Sequence, residues 1–414
     1  MSIFRAYDIR GIYGKELTDD IAEKIGYAII HFTRAKNVVV GYDSRLSSIN
    51  IFSAFSRGVI NSGANIINIG LVTKPMLNWV SIKEGYDLGV MITASHNPKE
   101  YNGFNFMRGR NTLHYLNGLN DVEKLMNKKF TETKNKGKII NMDYTDEYVD
   151  FLSSKITAKN LSKIKVIGDA SNGTAGQILK KLFKKNKIKG EILFSEPDGR
   201  FPNHDTNTMV DSAFSHLIKK VVSEKADFGF MVDPDSDRAR FVDEKGNIID
   251  NSYIQSLIIK YLINKEKSKE INDKKKYNIR KGKKIYIVRE LTSRRIVSET
   301  IIENGGVDII SKIGHPYIID MMNKYDAIYG CESSGHNFFN DIYNLDSGEM
   351  MFIKVLNMYS DSDKKLSEMI LPLEKYVSLG EIVYSVKNYK KTTIDYSKII
   401  EKIEKYFSER KKGI

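Results

Sequence analysis

The segment DFGFMVDPDSDR, residues 227–238, joins a run of apolar residues directly to a loop that carries three aspartates. The segments DLGVMITASHNP at 87–98 and DAIYGCESSGH at 326–336 repeat the arrangement, with an aspartate before the apolar run and a polar loop after it. A pattern that recurs in this way indicates an internal repeat of one supersecondary unit. We therefore expect three related domains, each of which contributes one polar loop.

Each of these apolar runs forms the third strand of a strand–helix–strand–helix–strand pattern. The first strands are predicted at Val38–Tyr42, Lys165–Gly168 and Ile285–Val288, the second strands at Ala64–Ile69, Gly190–Phe194 and Val307–Ile310, and further extended segments after the loops at Phe104–Met107, Ala239–Val242 and Asn337–Asn340. Short β-branched runs that alternate with amphipathic, helix-length segments predict parallel sheets covered by helices. Because ligands bind at the carboxyl ends of strands in such sheets, we expect the three polar loops to share a cleft.

The predicted fold class is α/β, with three tandem, related mixed α/β domains around a central cleft and a small C-terminal α+β segment. We place these parts at 1–145, 146–250, 251–360 and 361–414. The last part offers one strand, Glu381–Val386, and one amphipathic helix, Tyr396–Arg410. Two elements bury little apolar surface by themselves, so we expect this segment to pack on the rest of the chain or on a partner.

The composition of the 414 residues is that of an ordinary globular protein, with 41% apolar and 28% charged residues. No run approaches the roughly 18–20 apolar residues of a membrane span. The N-terminus lacks the apolar stretch of a signal peptide, so we expect a cytoplasmic protein that does not use a membrane as partner. The single cysteine, Cys331, excludes an internal disulfide and argues against a cysteine-based zinc site.

The formal net charge of +13 suits anionic ligands, whether phosphates or nucleic acid. Many of the lysines lie in one run, Lys265 to Lys284, which acidic and amide residues interrupt. A surface for RNA would interleave aromatic residues with arginines, and this run offers only Tyr277. We interpret the run as a solvated connector between two structured parts and expect no nucleic-acid partner.

Three aspartates of the second loop, Asp233, Asp235 and Asp237, alternate along a segment that we predict to be extended, which would point their side chains the same way. Three such carboxylates repel one another unless a cation lies between them, and oxygen ligands favour Mg²⁺ or Ca²⁺. A calcium-binding EF-hand is disfavoured because Arg238 replaces its turn glycine and strands flank the loop. The sequence thus predicts a magnesium site, with a solvated turn as the alternative.

The first and third loops carry weaker signals when each is taken alone. Ser95 is followed by His96, but a serine oxygen is a poor nucleophile until a base or positive surroundings activate it, and a plain turn is the alternative. Glu332 and Ser334 offer acceptor and donor groups that suit sugar hydroxyls, although a hairpin tip could carry the same residues. Arg238 could grip a phosphate or a neighbouring carboxylate through two hydrogen bonds.

Taken together, several short segments resemble the α-D-phosphohexomutases, the phosphomannomutase/phosphoglucomutase family. They are FRAYDIRG at 4–11, TASHNP at 93–98, YNGF at 101–104, DPDSDR at 233–238, GHP at 314–316 and GCESSGH at 330–336. Several independent motifs in one order are far more specific than any single motif. The resemblance covers about residues 1–360.

The resemblance implies a role for each matching residue. Ser95 resembles the serine that carries the transferable phosphate and also binds the metal, and Asp233, Asp235 and Asp237 resemble the Mg²⁺ ligands. Glu332 and Ser334 resemble residues that bind sugar hydroxyls, and Arg238 resembles the arginine beside the metal. The residues that resemble groups around the reacting atoms, some of them in acid–base roles, are Tyr7, Arg10, His96, His315 and His336.

The reaction implied by the resemblance interconverts hexose 1-phosphate and hexose 6-phosphate, with mannose or glucose as the sugar. Phosphoserine gives its phosphoryl group to the substrate, the resulting sugar bisphosphate turns over in the cleft, and its other phosphate returns to Ser95. The chain would thus be a magnesium-dependent intramolecular phosphotransferase, an isomerase of carbohydrate metabolism. The sequence does not fix the oligomeric state, and a homodimer is left open.

Two departures from the family pattern keep alternatives open. The family usually has a lysine two residues after the glycine of YNG, where this chain has Asn105. The phosphate-gripping loop of the family's fourth domain, of the type Arg-x-Ser-Gly-Thr-Glu-Pro, is absent from the sequence, so we expect an incomplete fourth domain. A non-catalytic sugar-phosphate binder and a phosphatase-like enzyme are therefore the alternatives to a mutase.

Overall fold

Three sheets organise the protein, one for each predicted repeat. The computed structural model describes residues 2–277 and 284–376, and beyond them residues 401, 402, 404, 405 and 408. Contacts divide the chain into a large unit, Met1–Lys375, and a second unit, Tyr376–Ile414. All three sheets and the candidate site belong to the large unit.

The first sheet is built from the N-terminal third of the chain. Its elements are β1 (Ile9–Ile12), α1 (Asp19–Thr33), β2 (Asn37–Tyr42), α2 (Ser48–Asn61), β3 (Asn65–Leu71), α3 (Lys74–Lys83), β4 (Leu88–Ile92), β5 (Tyr101–Arg108), β6 (Asn111–Thr112), α4 (Leu119–Leu125) and β7 (Ile139–Asn141). The strand order is β1-β5-β4-β2-β3-β7, and β6 pairs with β5. Strands β4, β2, β3 and β7 are parallel, whereas β5 is antiparallel to both of its neighbours in this order.

The second sheet has four strands and follows without a long linker. Its elements are α5 (Thr145–Ser154), β8 (Lys165–Asp169), α6 (Ala175–Asn186), β9 (Lys189–Leu193), α7 (Ser215–Ser223), β10 (Phe228–Val232) and β11 (Ala239–Asp243). The strand order is β11-β10-β8-β9. Here too the three central strands are parallel and the last strand, β11, returns antiparallel.

The third sheet completes the large unit. Its elements are α8 (Asn251–Tyr277), β12 (Tyr286–Glu290), α9 (Arg295–Glu303), β13 (Val307–Ser311), α10 (His315–Tyr325), β14 (Tyr329–Cys331), β15 (Asn337–Phe339), β16 (Leu345–Asp346), α11 (Gly348–Ser360) and α12 (Leu366–Ile370). Single 3-10 turns lie at Tyr115–Asn117, Leu161–Lys163, Asp211–Phe214, Asn340–Ile342 and Leu371–Leu373. The strand order is β13-β12-β14-β15-β16.

One strand order recurs in all three sheets. It is β5-β4-β2-β3 in the first, β11-β10-β8-β9 in the second and β15-β14-β12-β13 in the third, each with an antiparallel strand after the polar loop. The predicted repeat of mixed α/β domains is therefore confirmed. The predicted boundaries between these domains fall outside every sheet, and as boundaries they stay predictions.

Two predictions concern the lysine-rich run and the C-terminal segment. The prediction that the lysine-rich run is a connector is wrong over the first part of the run, because helix α8 continues through Lys265 to Tyr277. Exposed lysines and glutamates are good helix formers, so a polar run of this kind extends a helix when its N-terminal half is anchored in the core. The predicted strand Glu381–Val386 lies outside the described residues. Of the predicted helix Tyr396–Arg410, only residues 401, 402, 404, 405 and 408 are described, and they are helical.

Apolar packing on both faces fixes the first sheet relative to the others. Val38 and Val90 point into a core shared with α1 and α2, whereas Val39 and Met91 point into a larger core. That larger core joins Trp79 of α3 to the second and third sheets and contains Phe230 and Phe352, whose rings stack at 4.2 Å. Close-packed interiors resist displacement, so the loops of the three sheets are held in fixed positions relative to one another.

In the described part of the chain, every helix is too short or too polar to span a lipid bilayer.

Candidate active site

Ser95 lies in the loop that follows β4, in a backbone conformation that few non-glycine residues adopt. Its φ angle is +48°, and its N–H donates to Thr93 Oγ1 at 2.8 Å. This turn aims the side chain away from its own sheet, and Ser95 Oγ donates to Asp233 Oδ2 at 2.9 Å. Left-handed geometry costs of order 1–3 kcal/mol and persists where the surroundings enforce it, often at functional sites. The structure thus brings the predicted serine against the predicted metal loop.

The three aspartates of the metal loop converge, although not for the reason given by the sequence. The segment after β10 is a turn rather than an extended strand, with Ser236 at a φ angle of +63°. One carboxylate oxygen from each of Asp233, Asp235 and Asp237 lies within 4.8 Å of the others. All three side chains are buried. The turn, not strand alternation, therefore gathers these carboxylates.

Each of the three aspartates accepts a side-chain hydrogen bond through one carboxylate oxygen. In two of them, the other oxygen accepts no hydrogen bond within the described part of the chain. Asp235 Oδ2 accepts from Thr93 Oγ1 at 3.0 Å, and Asp237 Oδ2 accepts from Lys74 Nζ at 2.7 Å. Asp235 Oδ1 and Asp237 Oδ1 are buried and accept no hydrogen bond from the described residues. Buried polar atoms are almost always paired, so two such oxygens side by side fit a site that binds a cation.

The electrostatics of this loop lead to the same conclusion. Burial and the charges of Asp237 and Asp235 raise the pKa of Asp233 well above its usual value. Burial and Asp237 raise the pKa of Asp235 to about 7. These carboxylates destabilise one another when no cation is present. An all-oxygen ligand set of carboxylates with the Ser95 hydroxyl beside it fits a hard divalent cation.

Lys74 is a site residue that the sequence analysis missed. It is the first residue of α3, is 5% exposed, and its Nζ donates to Asp237 Oδ2 at 2.7 Å and to Asp346 Oδ2 at 2.9 Å. Burial disfavours its charge, but Asp237 and Asp346 outweigh that cost and raise its pKa above the ordinary value. A signal was present, because Lys74 follows the carboxyl end of β3, where ligands gather in such sheets. For Asp346, in the short strand β16, the sequence held no comparable signal.

Arg45 is a second residue that the sequence did not reveal, and it fixes the shape of the Ser95 loop. Its guanidinium is buried and pairs with Asp43 Oδ2 at 3.0 Å. The same guanidinium donates to the backbone oxygens of Ser95, Asn97, Pro98 and Tyr101. A planar fork with several donors can bind many carbonyls at once, which an ammonium cannot do in this geometry. Asp43 and Arg45 follow the end of β2, so their position again gave the available clue.

The third loop presents a glutamate with a free oxygen. Glu332 is buried, its Oε2 accepts from Ser334 Oγ at 3.2 Å, and its Oε1 accepts no hydrogen bond from the described residues. Burial raises the pKa of Glu332. Ser333 N–H donates to Glu290 Oε1 at 2.6 Å, which fixes the loop on the end of β12. The free oxygen of Glu332 can accept a hydrogen bond from a ligand hydroxyl.

Two histidines of the site are neutral at ordinary pH. Burial and the charges of Arg238 and Arg10 lower the pKa of His96 to about 3. Burial and the charge of Lys74 lower the pKa of His315 to about 3. His96 Nδ1 lies 3.3 Å from Ser95 Oγ. A neutral imidazole can accept a hydrogen bond, but a pKa this low makes it a weak base until a nearby negative charge raises that pKa.

Arg238 and His336 link the metal loop to the third loop. Arg238 Nε donates to His336 Nε2 at 2.8 Å and lies 3.8 Å from Asp237 Oδ1. His336 Nδ1 lies 2.9 Å from Asp346 Oδ2. Arg10 donates to Asn97 Oδ1. Arg10 and Arg238 line the same cavity as Ser95, and two arginines there suit an anionic ligand.

Most of the predicted residues surround one cavity of about 440 Å³. Those that line it are Tyr7, Arg10, Ser95, Asp235, Asp237, Arg238, His315, Glu332, Ser334 and His336. Asp233 and His96 contact Ser95 rather than the cavity. Lys74, Glu290 and Asn105, the residue at the position of the family lysine, also line it. The arrangement can bind an anionic sugar-sized ligand between a nucleophile, a metal site and hydroxyl-binding groups.

Comparison with known proteins gives independent information about this arrangement. Three profiles match in order: phosphoglucomutase/phosphomannomutase alpha/beta/alpha domain I at residues 1–132, domain II at 146–246 and domain III at 252–376. A phosphomannomutase of Escherichia coli strain K12 is 32% identical over 393 residues, which cover 92% of this chain and 82% of that protein. A phosphoglucomutase of Neisseria gonorrhoeae is 33% identical over 389 residues, which cover 93% of this chain and 80% of that protein.

A solved structure agrees with the sequence comparisons. The crystal structure of a phosphoglucomutase/phosphomannomutase family protein from Burkholderia thailandensis superposes with a TM-score of 0.81 at 27% identity. The superposition covers 91% of this chain and 80% of that one. Sheets, loops and sequence motifs therefore all match the same group of proteins.

Proposed function

This chain belongs to the phosphoglucomutase/phosphomannomutase family, and from that membership we propose that it interconverts the 1-phosphate and 6-phosphate of mannose or glucose through phosphorylated Ser95. At the coarser level it is a hexose phosphate mutase, a phosphotransferase of carbohydrate metabolism. The observation that carries the proposal is the 2.9 Å hydrogen bond from Ser95 Oγ to Asp233, which joins the nucleophile of one domain to the metal loop of the next.

In the proposed reaction, the phosphoryl group passes from phosphorylated Ser95 Oγ to the free hydroxyl of the sugar monophosphate. The P–O bond to Ser95 breaks, a P–O bond to the sugar oxygen forms, and the hydroxyl proton goes to a base. A sugar bisphosphate results, and after it turns over, Ser95 Oγ attacks its other phosphate. The P–O bond from that phosphate to the sugar oxygen breaks, a P–O bond to Ser95 forms, and the base returns its proton to the sugar oxygen. The number of phosphoryl groups is conserved, so no other phosphate donor is consumed.

The chain's own residues would position these groups and balance their charge, which is what phosphoryl transfer needs most. Arg238 and Arg10 would bind phosphate oxygens. His96 or His315 would accept the hydroxyl proton once the negative charge of a neighbouring phosphoryl group has raised its pKa. Asp233, Asp235 and Asp237 would hold the metal ion, which we propose to be Mg²⁺, and that ion would neutralise negative charge on the phosphoryl group.

Glu332 and Ser334 would hold the sugar in both of its orientations. Hydroxyl groups on neighbouring carbons of a pyranose can be exchanged by a half-turn of the ring, so one pair of binders can serve both. A cavity of about 440 Å³ has room for a ligand of this size. The binding residues thus fix the sugar plane while the phosphates exchange places.

The test of the proposal is direct observation of both isomers. We expect purified protein with MgCl₂ and a catalytic amount of hexose bisphosphate to convert mannose 1-phosphate or glucose 1-phosphate to the 6-phosphate, as followed by ³¹P NMR. Steady release of inorganic phosphate without isomer formation would instead indicate a phosphatase. Saturable binding of hexose phosphate with neither product would indicate a non-catalytic binder.

Glu332→Gln is expected to lower kcat/KM about 10- to 100-fold, because a hydrogen bond to a charged acceptor contributes about 1.5–3 kcal/mol. The free Oε1 of Glu332 is the atom that would accept a hydrogen bond from the sugar hydroxyl. Glu244→Gln is the matched control, since Glu244 also accepts from a serine, Ser367 Oγ at 2.6 Å, but lies outside the cavity. Equal losses of kcat/KM in both variants, measured by initial rates, would show that Glu332 does not bind the substrate.

A further inference from the structure

Lys74 places a buried ammonium group in the active-site cavity, and the reaction described above gives it no role. It comes from α3 of the first domain, and its two carboxylate partners come from elsewhere, Asp237 from the metal loop and Asp346 from β16. A lysine that is 5% exposed loses its hydration and much side-chain entropy, which its two ion pairs must offset. A burial of this kind at a phosphoryl-transfer site calls for a specific explanation.

The partners of Lys74 form a second group of potential metal ligands. One ligand atom from each of Asp237, His336 and Asp346 lies within 4.8 Å of the others, and all three side chains are buried. Asp237 Oδ1 and His336 Nδ1 make no regular hydrogen bond within the described residues, although His336 Nδ1 lies 2.9 Å from Asp346 Oδ2. Lys74 Nζ thus contacts two members of this group, Asp237 and Asp346, through one oxygen of each.

This second group shares one residue with the proposed metal site. Asp237 offers Oδ2 to Lys74 and keeps Oδ1 free, so one carboxylate lies between the ammonium and the metal position. Enzymes that use two metal ions for phosphoryl transfer place them about 3.5–4 Å apart, joined by shared carboxylates. The geometry around Asp237 has the same form, with a nitrogen cation where the second metal would be.

We propose that the Lys74 ammonium occupies a second cation site, formed by Asp237 and Asp346 beside His336, and thereby restricts the active site to one divalent metal ion. The inference builds on the metal site proposed above. It assigns Lys74 as a fixed cation that cannot dissociate, next to the phosphoryl group and the exchangeable metal.

The local charge balance supports one metal rather than two. Four carboxylates lie together, those of Asp233, Asp235, Asp237 and Asp346, while Asp43 is already paired with Arg45. Lys74 and Arg238 with one divalent cation neutralise these four charges. While Ser95 is unphosphorylated, a second divalent ion beside Lys74 would leave an excess of positive charge in a buried site, which is costly.

The experiment counts bound metal in Lys74→Ala, which removes the ammonium and opens its space. After equilibrium dialysis against saturating Mn²⁺, the metal per chain is measured by inductively coupled plasma mass spectrometry. We expect one Mn²⁺ in the wild type, two in Lys74→Ala, and one again in Lys74→Ala/Asp346→Asn. Lys83→Ala is the matched control, because Lys83 lies in the same helix but pairs with Glu84 and Glu147, and it should bind one.

Each alternative count has a defined meaning. Two Mn²⁺ in the wild type, or one in a folded Lys74→Ala, would overturn the proposal. If circular dichroism shows that the alanine variant does not fold, Lys74→Ser is measured with the same expectation of two. Because the count does not depend on turnover, a protein without mutase activity that still changes from one to two would support the second site while contradicting the proposed function.

Discussion

Replacing Ser95 with alanine is expected to lower mutase turnover by about 10⁴-fold or more, since loss of a covalent nucleophile removes the reaction path itself. Ser95 Oγ is the hydroxyl that lies 2.9 Å from Asp233, in a loop whose backbone is fixed by Arg45 and Thr93. The alanine methyl group fits the same space but leaves Asp233 Oδ2 without its donor, which costs about 1–3 kcal/mol, so the thermal unfolding temperature should fall modestly while the protein stays folded. Initial rates from ³¹P NMR and a thermal melt on the same preparation check both expectations.

A second serine controls for the loss of a hydroxyl that donates to an aspartate. Ser298 Oγ donates to Asp308 Oδ2 at 2.6 Å, a serine–carboxylate pair outside the cavity. Ser298→Ala should therefore keep full turnover. Turnover in Ser95→Ala that equals that of Ser298→Ala would show that the phosphoryl group does not travel through Ser95, and the proposed mechanism would be wrong.

Asp235→Asn is expected to weaken metal affinity by about 10²-fold or more, because even groups that only orient a metal ligand cost about 10–100-fold when changed. Turnover at limiting Mg²⁺ should fall with it, and addition of a chelator should abolish turnover in the wild type until Mg²⁺ is restored. Asp235 Oδ1 is the free, buried oxygen that we assign to the metal. Isothermal titration with Mg²⁺ or Mn²⁺ measures the affinity directly.

The same substitution should stabilise the metal-free protein. Burial and Asp237 raise the pKa of Asp235 to about 7 in the folded state, above its ordinary value of 3.8. Folding therefore disfavours the ionised carboxylate, and this cost is fully present above pH 7 and vanishes as pH falls below 3.8. At pH 8 without metal, Asp235→Asn should thus have a higher Tm than the wild type, and it should lose the metal-dependent rise in Tm.

An exposed aspartate provides the comparison for this pair of measurements. Asp146 pairs with Lys181 on the surface, and its side chain is 87% exposed, so Asp146→Asn should change neither metal affinity nor metal-free Tm appreciably. A drop in the metal-free Tm of Asp235→Asn would contradict the view that the cluster is strained without its cation. Undiminished metal affinity of Asp235→Asn would show that Asp235 is not a metal ligand.

The sequence was sufficient for the repeat and for the loops because both depend on local pattern. Apolar runs that end in polar loops mark strand ends in each domain, and all nine predicted strands of the repeat are present, with ends that differ from the prediction by at most three residues. The metal loop was found because three aspartates in five residues are unusual. Its conformation was predicted wrongly, because the left-handed turn at Ser236 is set by packing around the site rather than by the spacing of the aspartates.

The residues that the sequence did not reveal act through contacts with residues far away in the chain. Lys74 was a single lysine before a proline until the structure placed it between Asp237 and Asp346, which lie 163 and 272 residues away in the chain. Arg45 binds four carbonyl groups of one distant loop, and a lone arginine gives no sign of such a role. Contacts of this kind depend on how distant segments of the chain pack together, and no local sequence pattern reveals that packing.

The central claim is that the phosphoryl group resides on Ser95 between the two halves of the reaction. The most direct measurement is peptide mass spectrometry of the protein after incubation with a hexose bisphosphate and Mg²⁺, followed by a chase with hexose monophosphate. The account predicts one phosphoryl group per chain on the peptide containing Ser95, and its loss from that peptide during the chase with formation of bisphosphate. A phosphoryl group on a different residue, or an unmodified Ser95 in protein that interconverts the isomers, would contradict it.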